Sequence, residues 1–505
     1  MYPGAYDPAG PAVVTADGNT TLTYGELEEN SLRLADHLRA SGMRKGDHLA
    51  LLSDNDPRVF EVYWAALRSG LYLTAVNHHL TAEEAAYIVR DCGAKALIVS
   101  GALSELGARV RELVPEVEHR LGFADGTYDA ALRAASPAPP AVQPRGADML
   151  YSSGTTGRPK GIEPTLPDGD VRTDPSTYQL LFQPMYGFGT DTVYLCPAPL
   201  YHAAPLRFCG VITATGGTVV LMNSFDPQGA LAAIERHRVT HSQWVPTMFV
   251  RMLKLPDAVR ERYDTSSMKV AIHAAAPCPV EVKRRMTDWW GPVLYEYYAA
   301  TEGNGITFIG PEEWLRKPGS VGRAGLLGEL RICDGAGKPL PPGETGVVYF
   351  ERDELPFRYH GDLGRTREAQ HPEHPNWTTT GDIGHADEDG YLFLTDRKAF
   401  MIISGGVNIY PQEIEDCLVL HPAVADVAVI GVPDEEMGES VLAVVQPAQE
   451  GDAGPELGAE LIAYVRARMA HYKVPRQVRF VSELPRTPTG KLAKGRLRSD
   501  AQGAP

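Results

Sequence analysis

The chain has 505 residues, 43% of them hydrophobic and 22% charged. That length exceeds one ordinary hydrophobic core and predicts two or more domains. The net charge of −16 excludes the broad basic face of a general nucleic-acid binder, while leaving room for a local cationic pocket that takes a small anion.

In chain order, the stretch "LTYGELEENSLRLADHLRASG" places Leu27, Leu34, Ala35 and Leu38 on one helical face and stops at Gly42. "DHLALLS" follows as a buried strand, and "PRVFEVYWAALRSG" as a second helix carrying Phe60, Tyr63, Trp64 and Leu67. "LYLTAV" is a strand. "TAEEAAYIVRDCG" opens on a capping-box pattern, Thr81 to Glu84, and "ALIVS" is the next strand. This alternation predicts an α/β layer with a largely parallel sheet. The Pro-rich "SPAPPAVQPRG" (136–146) is a surface connector leading to a short strand, "ADMLY". From about 315 to 395, short strands and Gly/Pro turns predict a small β-barrel subdomain. After residue 397 a separate α+β unit begins: "ADVAVIGVPD" and "SVLAVVQ" as strands, "ELGAELIAYVRARMAHY" as a helix, "RQVRFVSELP" as a strand. The expected architecture is a large N-terminal α/β domain (1–396), with two sheet–helix layers and the β subdomain, and a smaller α+β domain (397–505), which the resemblance given below implies is mobile.

The six cysteines are scattered without a Cys-x-x-Cys pair, which points to a reducing compartment and no structural zinc. The start "MYPGAYDPAG" lacks the regions of a signal peptide, and no run of 18 apolar residues occurs, so a cytoplasmic location is expected. "HPEHP" (371–375) has a His-x-x-His spacing but no third ligand in sight, and is read as surface.

Between them, "YSSGTTGRPKG" (151–161) is built from the residues that hold a phosphate. Gly154 and Gly157 let the backbone aim N–H groups at an anion; Ser152, Ser153, Thr155 and Thr156 add hydroxyl donors and Lys160 a charge. It is not a P-loop, because Lys160 is followed by Gly161 rather than Ser or Thr, and Pro159 stands where that loop turns into its helix.

This stretch resembles the phosphate-binding loop of the adenylate-forming superfamily, which comprises acyl-CoA synthetases, peptide-synthetase adenylation domains and luciferases. Six further elements extend the resemblance over nearly the whole chain. "HAAAPCP" (273–279) stands where the family lays a backbone turn under adenine, at Ala275, Ala276 and Pro277, with Ala replacing the usual Gly. "YEYYAATEG" (295–303) resembles the Tyr-x-x-Thr-Glu element. There Glu296, Tyr297 and Tyr298 would lie along the nucleotide, with Tyr298 stacked on adenine; Tyr297 reads equally as a core residue. Thr301 would meet the α-phosphate, and Glu302, with Thr156, would hold Mg²⁺. "TTGDIG" (379–384) implies Asp382 on the ribose hydroxyls. "LTDRKAFMIISGGVNIYPQEIE" (394–415) places Arg397 near the ribose and opens the C-terminal domain; the family's hinge position is here Ala399 rather than Asp or Lys. "PRTPTGKL" (485–492) implies Lys491 as a mobile catalytic cation, and "PLYHAAP" (199–205) puts His202 beside the reacting carboxylate.

The resemblance implies an ATP- and Mg²⁺-dependent ligase. It would activate a carboxylic acid as an acyl-adenylate with release of pyrophosphate, then transfer the acyl group to CoA, much as fatty-acid CoA ligases do. No carrier-protein segment follows, which points away from a multimodular peptide synthetase. Lys473 and Arg476 are candidate contacts for the CoA phosphates, or a solvated basic turn. An amide synthetase that passes the adenylate to an amine is the alternative, and a nucleotide-binding module without turnover the second. By motif position His202, Trp244, His273, Gly303 and Asn304 would line the acid site. Trp244 would form a flat wall, and Gly303 and Gly305 would leave room for a bulky or ring-bearing acid. The identity of the acid and the oligomeric state are open at this level.

Overall fold

The structure is a computed structural model that describes residues 2–152, 159–397, 400–434, 436–486 and 492–502. The first βα repeats build a five-stranded parallel sheet, in the order His119–Gly122, Ala94–Val99, His48–Leu52, Tyr72–Val76, Ala147–Asp148. A second sheet has nine strands. Its centre is parallel and runs from Pro11–Thr15 through Thr218–Leu221, Val193–Cys196, His241–Trp244 and Val270–His273 to Leu294–Ala299. Antiparallel strands close both edges: Thr21–Thr23 at one, Ile306–Ile309 and Arg323–Leu327 at the other.

The main core lies between these two sheets. The helices Tyr24–Ala40, Arg58–Leu67 and Ala203–Thr215 pack there, and the Trp64 indole donates to Thr213 Oγ1 at 3.0 Å, tying the two layers together. The capping box at Thr81 is realised in both directions: Glu84 N to Thr81 Oγ1 (3.3 Å) and Thr81 N to Glu84 Oε2 (3.0 Å). A further core fills the opposite face of each large sheet.

The Gly/Pro-rich stretch forms an antiparallel sheet ordered Glu329–Cys333, Gly346–Glu351, Asp382–Ala386, Leu392–Arg397, with Trp377–Thr378 paired to the second of these. On its far edge Leu392 is bridged to Gly322, from which the chain runs on into Arg323–Leu327. The C-terminal domain has its own core and a five-stranded sheet centred on the long hairpin Val424–Asp434/Gly438–Pro447. The small hairpin Ile402–Ser404/Val407–Ile409 and the helices Pro411–Leu418 and Lys494–Gln502 add to the strands and helix expected there. Val419 and Leu420 rest on the outer core of the nine-stranded sheet, and the Lys254 ammonium donates to the Val424 carbonyl across the same junction. Among the described residues no helix is long and apolar enough to cross a membrane.

Candidate active site

Parallel sheets offer ligands the crevice at the carboxyl ends of their strands. Three expected elements emerge there: His202 a few residues after Val193–Cys196, the 274–279 turn after Val270–His273, and Thr301 and Glu302 after Leu294–Ala299. The phosphate stretch arrives from the other sheet. Leu150–Ser152 and Lys160–Glu163 form an antiparallel hairpin whose last pair is Ser152 with Lys160. Residues 153–158, with Ser153, Gly154, Thr155, Thr156 and Gly157, lie outside the described residues, as do the Ser152 side chain and Lys491.

A third strand, Arg358–Tyr359, pairs with Lys160–Glu163 and sets Tyr359 opposite Ile162. Its phenol reaches both charged groups of the site. The Tyr359 hydroxyl donates to Glu302 Oε1 at 2.9 Å, and Lys160 Nζ stands 5.2 Å from the centre of the Tyr359 ring. Sequence reasoning missed Tyr359. It lies 57 residues from Glu302, and only the strand pairing brings it in.

The Glu302 turn is held from below. Gly303 takes the left-handed conformation at φ +65, and its N–H donates to Ala300 O at 3.0 Å. Asn304 is buried, with its amide donating to Thr378 O at 3.4 Å; this is a structural tie. The space beside Gly305 is filled by Phe350, whose ring carbons would lie 2.1 Å from a Cβ there. That glycine therefore admits Phe350, not a bulky acid as expected.

Tyr298 donates to Asp382 Oδ2 at 2.7 Å, and Thr380 Oγ1 donates to the same oxygen at 2.8 Å. Asp382 pairs in register with Arg397, whose side chain is not among those described. Ala275, Ala276 and Pro277 are exposed, and Ala275 sits at φ +75. The backbone keeps a conformation suited to glycine although the residue is alanine, which stores about 1–2 kcal/mol of strain.

Strand parity separates the remaining candidates. Glu296 points beneath the turn into the protein, where Lys283 Nζ meets it at 2.6 Å under the Trp314 ring. His273 is fully buried beside this pair, its Nε2 3.5 Å from Glu296 Oε2. Neither ring nitrogen makes a hydrogen bond among the described residues. Burial, reinforced by the Lys283 charge, holds its pKa well below the ordinary value, so the imidazole is neutral. Tyr297 faces the main core, against Phe182 and Phe208, and accepts from Gln243 Nε2 at 3.1 Å.

Trp244 does not form the expected wall. It projects to the opposite face of its strand, packs on Phe249 and Trp290, and donates to Ser242 Oγ at 2.6 Å. Its neighbour Gln243 faces the main core instead. His202 stands immediately before the helix Ala203–Thr215, half-buried beside Tyr201. Lys473 and Arg476 are each engaged inside the C-terminal domain, Lys473 by Glu413 and Arg476 by Asp434 at 2.9 Å.

This geometry can be set beside known proteins. The family model described as AMP-binding enzyme matches residues 5–358, and that of the AMP-binding enzyme C-terminal domain matches 413–491. A feruloyl-CoA synthase of Amycolatopsis sp is 36% identical, over 96% of this chain and 95% of that protein. The long-chain-fatty-acid–CoA ligase FadD13 of Mycobacterium tuberculosis is 33% identical, over 96% and 94%. Among solved structures, ATP-bound MatB from Rhodopseudomonas palustris superimposes with a TM-score of 0.81 at 28% identity, covering 98% of this chain and 97% of that one. The amide bond synthetase McbA from Marinactinospora thermotolerans gives 0.80 at 29%, with the same coverage. With both domain models matched and relatives aligned nearly end to end, the chain belongs to the AMP-binding enzyme family, the adenylate-forming superfamily, with the likeness of a carboxylic acid–CoA ligase.

Proposed function

We propose that the chain is an AMP-forming acyl-CoA synthetase. It joins a carboxylic acid to the α-phosphate of ATP, expelling pyrophosphate, and then passes the acyl group to the thiol of CoA, expelling AMP. The observation that carries this reading is a pair of contacts around the end of the strand Leu294–Ala299: Tyr298 with Asp382, and Glu302 linked to Lys160 through Tyr359. A carboxylate is a poor electrophile, and the mixed anhydride with AMP makes it a good one without any covalent protein nucleophile. Charge gathers on the phosphates in the first step, and fixed groups aimed at that charge accelerate it.

In this reading Tyr298, Asp382 and the 274–279 turn orient the nucleoside, with Arg397 near the ribose. Lys160, Thr301 and the hydroxyls of 152–156 bind phosphate oxygens, and His202 borders the acid carboxylate. Mg²⁺ fits Glu302: the cation arrives with ATP phosphates and needs few protein ligands, whereas no cluster of three metal-binding side chains among the described residues could hold one unaided. When bound, it would neutralise phosphate charge. Lys491 is proposed to bridge the acid and the α-phosphate in the first step only. The domain beginning at residue 397 would then turn, withdraw it, and bring the 402–409 hairpin to the thiol. The six free cysteines support a reducing, cytoplasmic setting.

The likeness to an amide bond synthetase keeps one second reading, in which an amine attacks the same adenylate. The carboxylate partners of Lys473 and Arg476 must also be exchanged before those cations can meet CoA phosphates. Incubation with ATP and a panel of aromatic and aliphatic acids, each with CoA or an amine, tests both. A thioester is expected; amide alone selects the second reading, and neither product refutes both.

A further inference from the structure

Lys160 and Glu302 carry opposite charges and both touch Tyr359, yet they form no ion pair with each other. Lys160 opens the strand Lys160–Glu163 and Glu302 stands in the turn after Leu294–Ala299, and a direct ion pair is one state open to two such groups. In that state neither could meet a nucleotide: the lysine would be spent on the glutamate, and the glutamate on the lysine. Tyr359 meets both, with the ammonium over its ring and its hydroxyl on the carboxylate.

The tyrosine is itself held rigidly. Its backbone is paired to the phosphate-loop hairpin, and the next N–H, His360, donates to Gly161 O at 2.9 Å. Its own N–H donates to Thr366 Oγ1 at 3.1 Å, and that hydroxyl is fixed by donating to Asp362 O at 2.9 Å. Phe357 packs edge-on to the ring at 5.2 Å, and Ile162 and Ala369 complete the small apolar cluster beneath it. The ring position is therefore set by the same strand that sets Lys160.

We infer that Tyr359 is a positioning residue of the nucleotide site: it spaces Lys160 from Glu302 and orients the Glu302 carboxylate toward a divalent cation. The hydroxyl occupies Oε1 of Glu302, which fixes the carboxylate plane, and among the described residues Oε2 has no hydrogen-bond donor. A partner of this kind, one step removed from the metal, typically changes metal affinity by about 10–100-fold. The ring face holds Lys160 by cation–π attraction, which lets the ammonium leave for a phosphate more readily than an ion pair would. The inference rests on the role proposed above for Glu302 and Lys160.

The test is ATP binding by calorimetry without any acid, titrated against MgCl₂, in wild type, Tyr359→Phe, Glu302→Gln and the double variant. Tyr359→Phe keeps the ring and the fold, and a thermal melt checks the latter. We expect it to raise the Mg²⁺ concentration for half-maximal enhancement of ATP binding by about tenfold, with metal-free ATP affinity changed less than about twofold because the ring still faces Lys160. On the Glu302→Gln background the same substitution should add no further Mg²⁺ effect, since residues acting through one group are not additive. An unchanged Mg²⁺ dependence in Tyr359→Phe, or an equal shift on both backgrounds, overturns the inference. A wild type that binds Mg·ATP but releases no pyrophosphate with any acid refutes the ligase reading and leaves the role of Tyr359 standing. A wild type that binds no Mg·ATP overturns both.

Discussion

Replacing Lys283 by Met strands the buried Glu296 carboxylate. Both side chains are almost wholly buried, Lys283 at 1% and Glu296 at 6% exposure, with 2.6 Å between the charged atoms. Removing one partner of such a pair costs about 3–5 kcal/mol, because the survivor is left charged and dry. His273 modifies this figure. Its Nε2 lies 3.5 Å from the same Glu296 oxygen, and in the wild type burial and the Lys283 charge keep it neutral. Without Lys283, the folded variant can hold one proton between Glu296 and His273. The unfolded chain also holds one such proton between roughly pH 4.5 and 6.5, but none above roughly pH 6.5. Above that point the folded variant therefore binds more protons than the unfolded chain, and its stability falls as pH rises. In the wild type His273 acts in the opposite sense, since its depressed pKa contributes stability above roughly pH 6.5 that is lost as pH falls below it. The deficit of Lys283→Met should be about 3–5 kcal/mol near pH 8 and smaller by roughly 2 kcal/mol near pH 6. Urea unfolding followed by tryptophan fluorescence at the two pH values measures it. Lys283→Met/Glu296→Leu should recover most of the loss. A deficit independent of pH, or one below about 1 kcal/mol, would refute the description of this triad.

Three further outcomes follow from single positions. Gly305→Ala drives a methyl group into the Phe350 ring and should cost about 1–3 kcal/mol, together with weaker ATP binding as the Thr301–Glu302 turn shifts; thermal melts and ATP titration read both. Ala275→Gly relieves the left-handed alanine and should raise stability by about 1 kcal/mol without loss of ATP binding; a decrease would mean that the alanine methyl is needed in place. Lys491→Ala, a prediction from the terminal motif alone, should abolish pyrophosphate release yet leave transfer to CoA from a supplied acyl-adenylate largely intact. Equal loss of both half-reactions would remove the domain rotation from the account.

What could be read from the chain was local chemistry. The glycine and hydroxyl loop, the Thr81–Glu84 cap and the helical faces depend on neighbours a few residues apart, so pattern sufficed for them. Parity against an unknown face could not be read. Trp244 and Gln243 are adjacent on one strand, and the choice of which meets the main core is made by where the sheet's two faces pack. Glycine was ambiguous for a related reason: Gly303 is small because its φ is +65, Gly305 because Phe350 lies against it. Glu296 and His273 lie in motif strings beside true site candidates, but alternate strand residues turn them inward to Lys283. Tyr359 carries no motif signal, because its hydrogen-bond partner Glu302 is 57 residues away and its strand partner Ile162 is far earlier in the chain.

The central claim is that these residues activate an acid on ATP before any acceptor binds. Rapid-quench measurement of pyrophosphate from enzyme, Mg·ATP and a responsive acid, without CoA or amine, tests it most directly. The account predicts a burst of about one pyrophosphate per active site, suppressed on the order of a hundredfold in rate by Glu302→Ala. Pyrophosphate release that waits for CoA, or a burst unaffected by loss of Glu302, would contradict it.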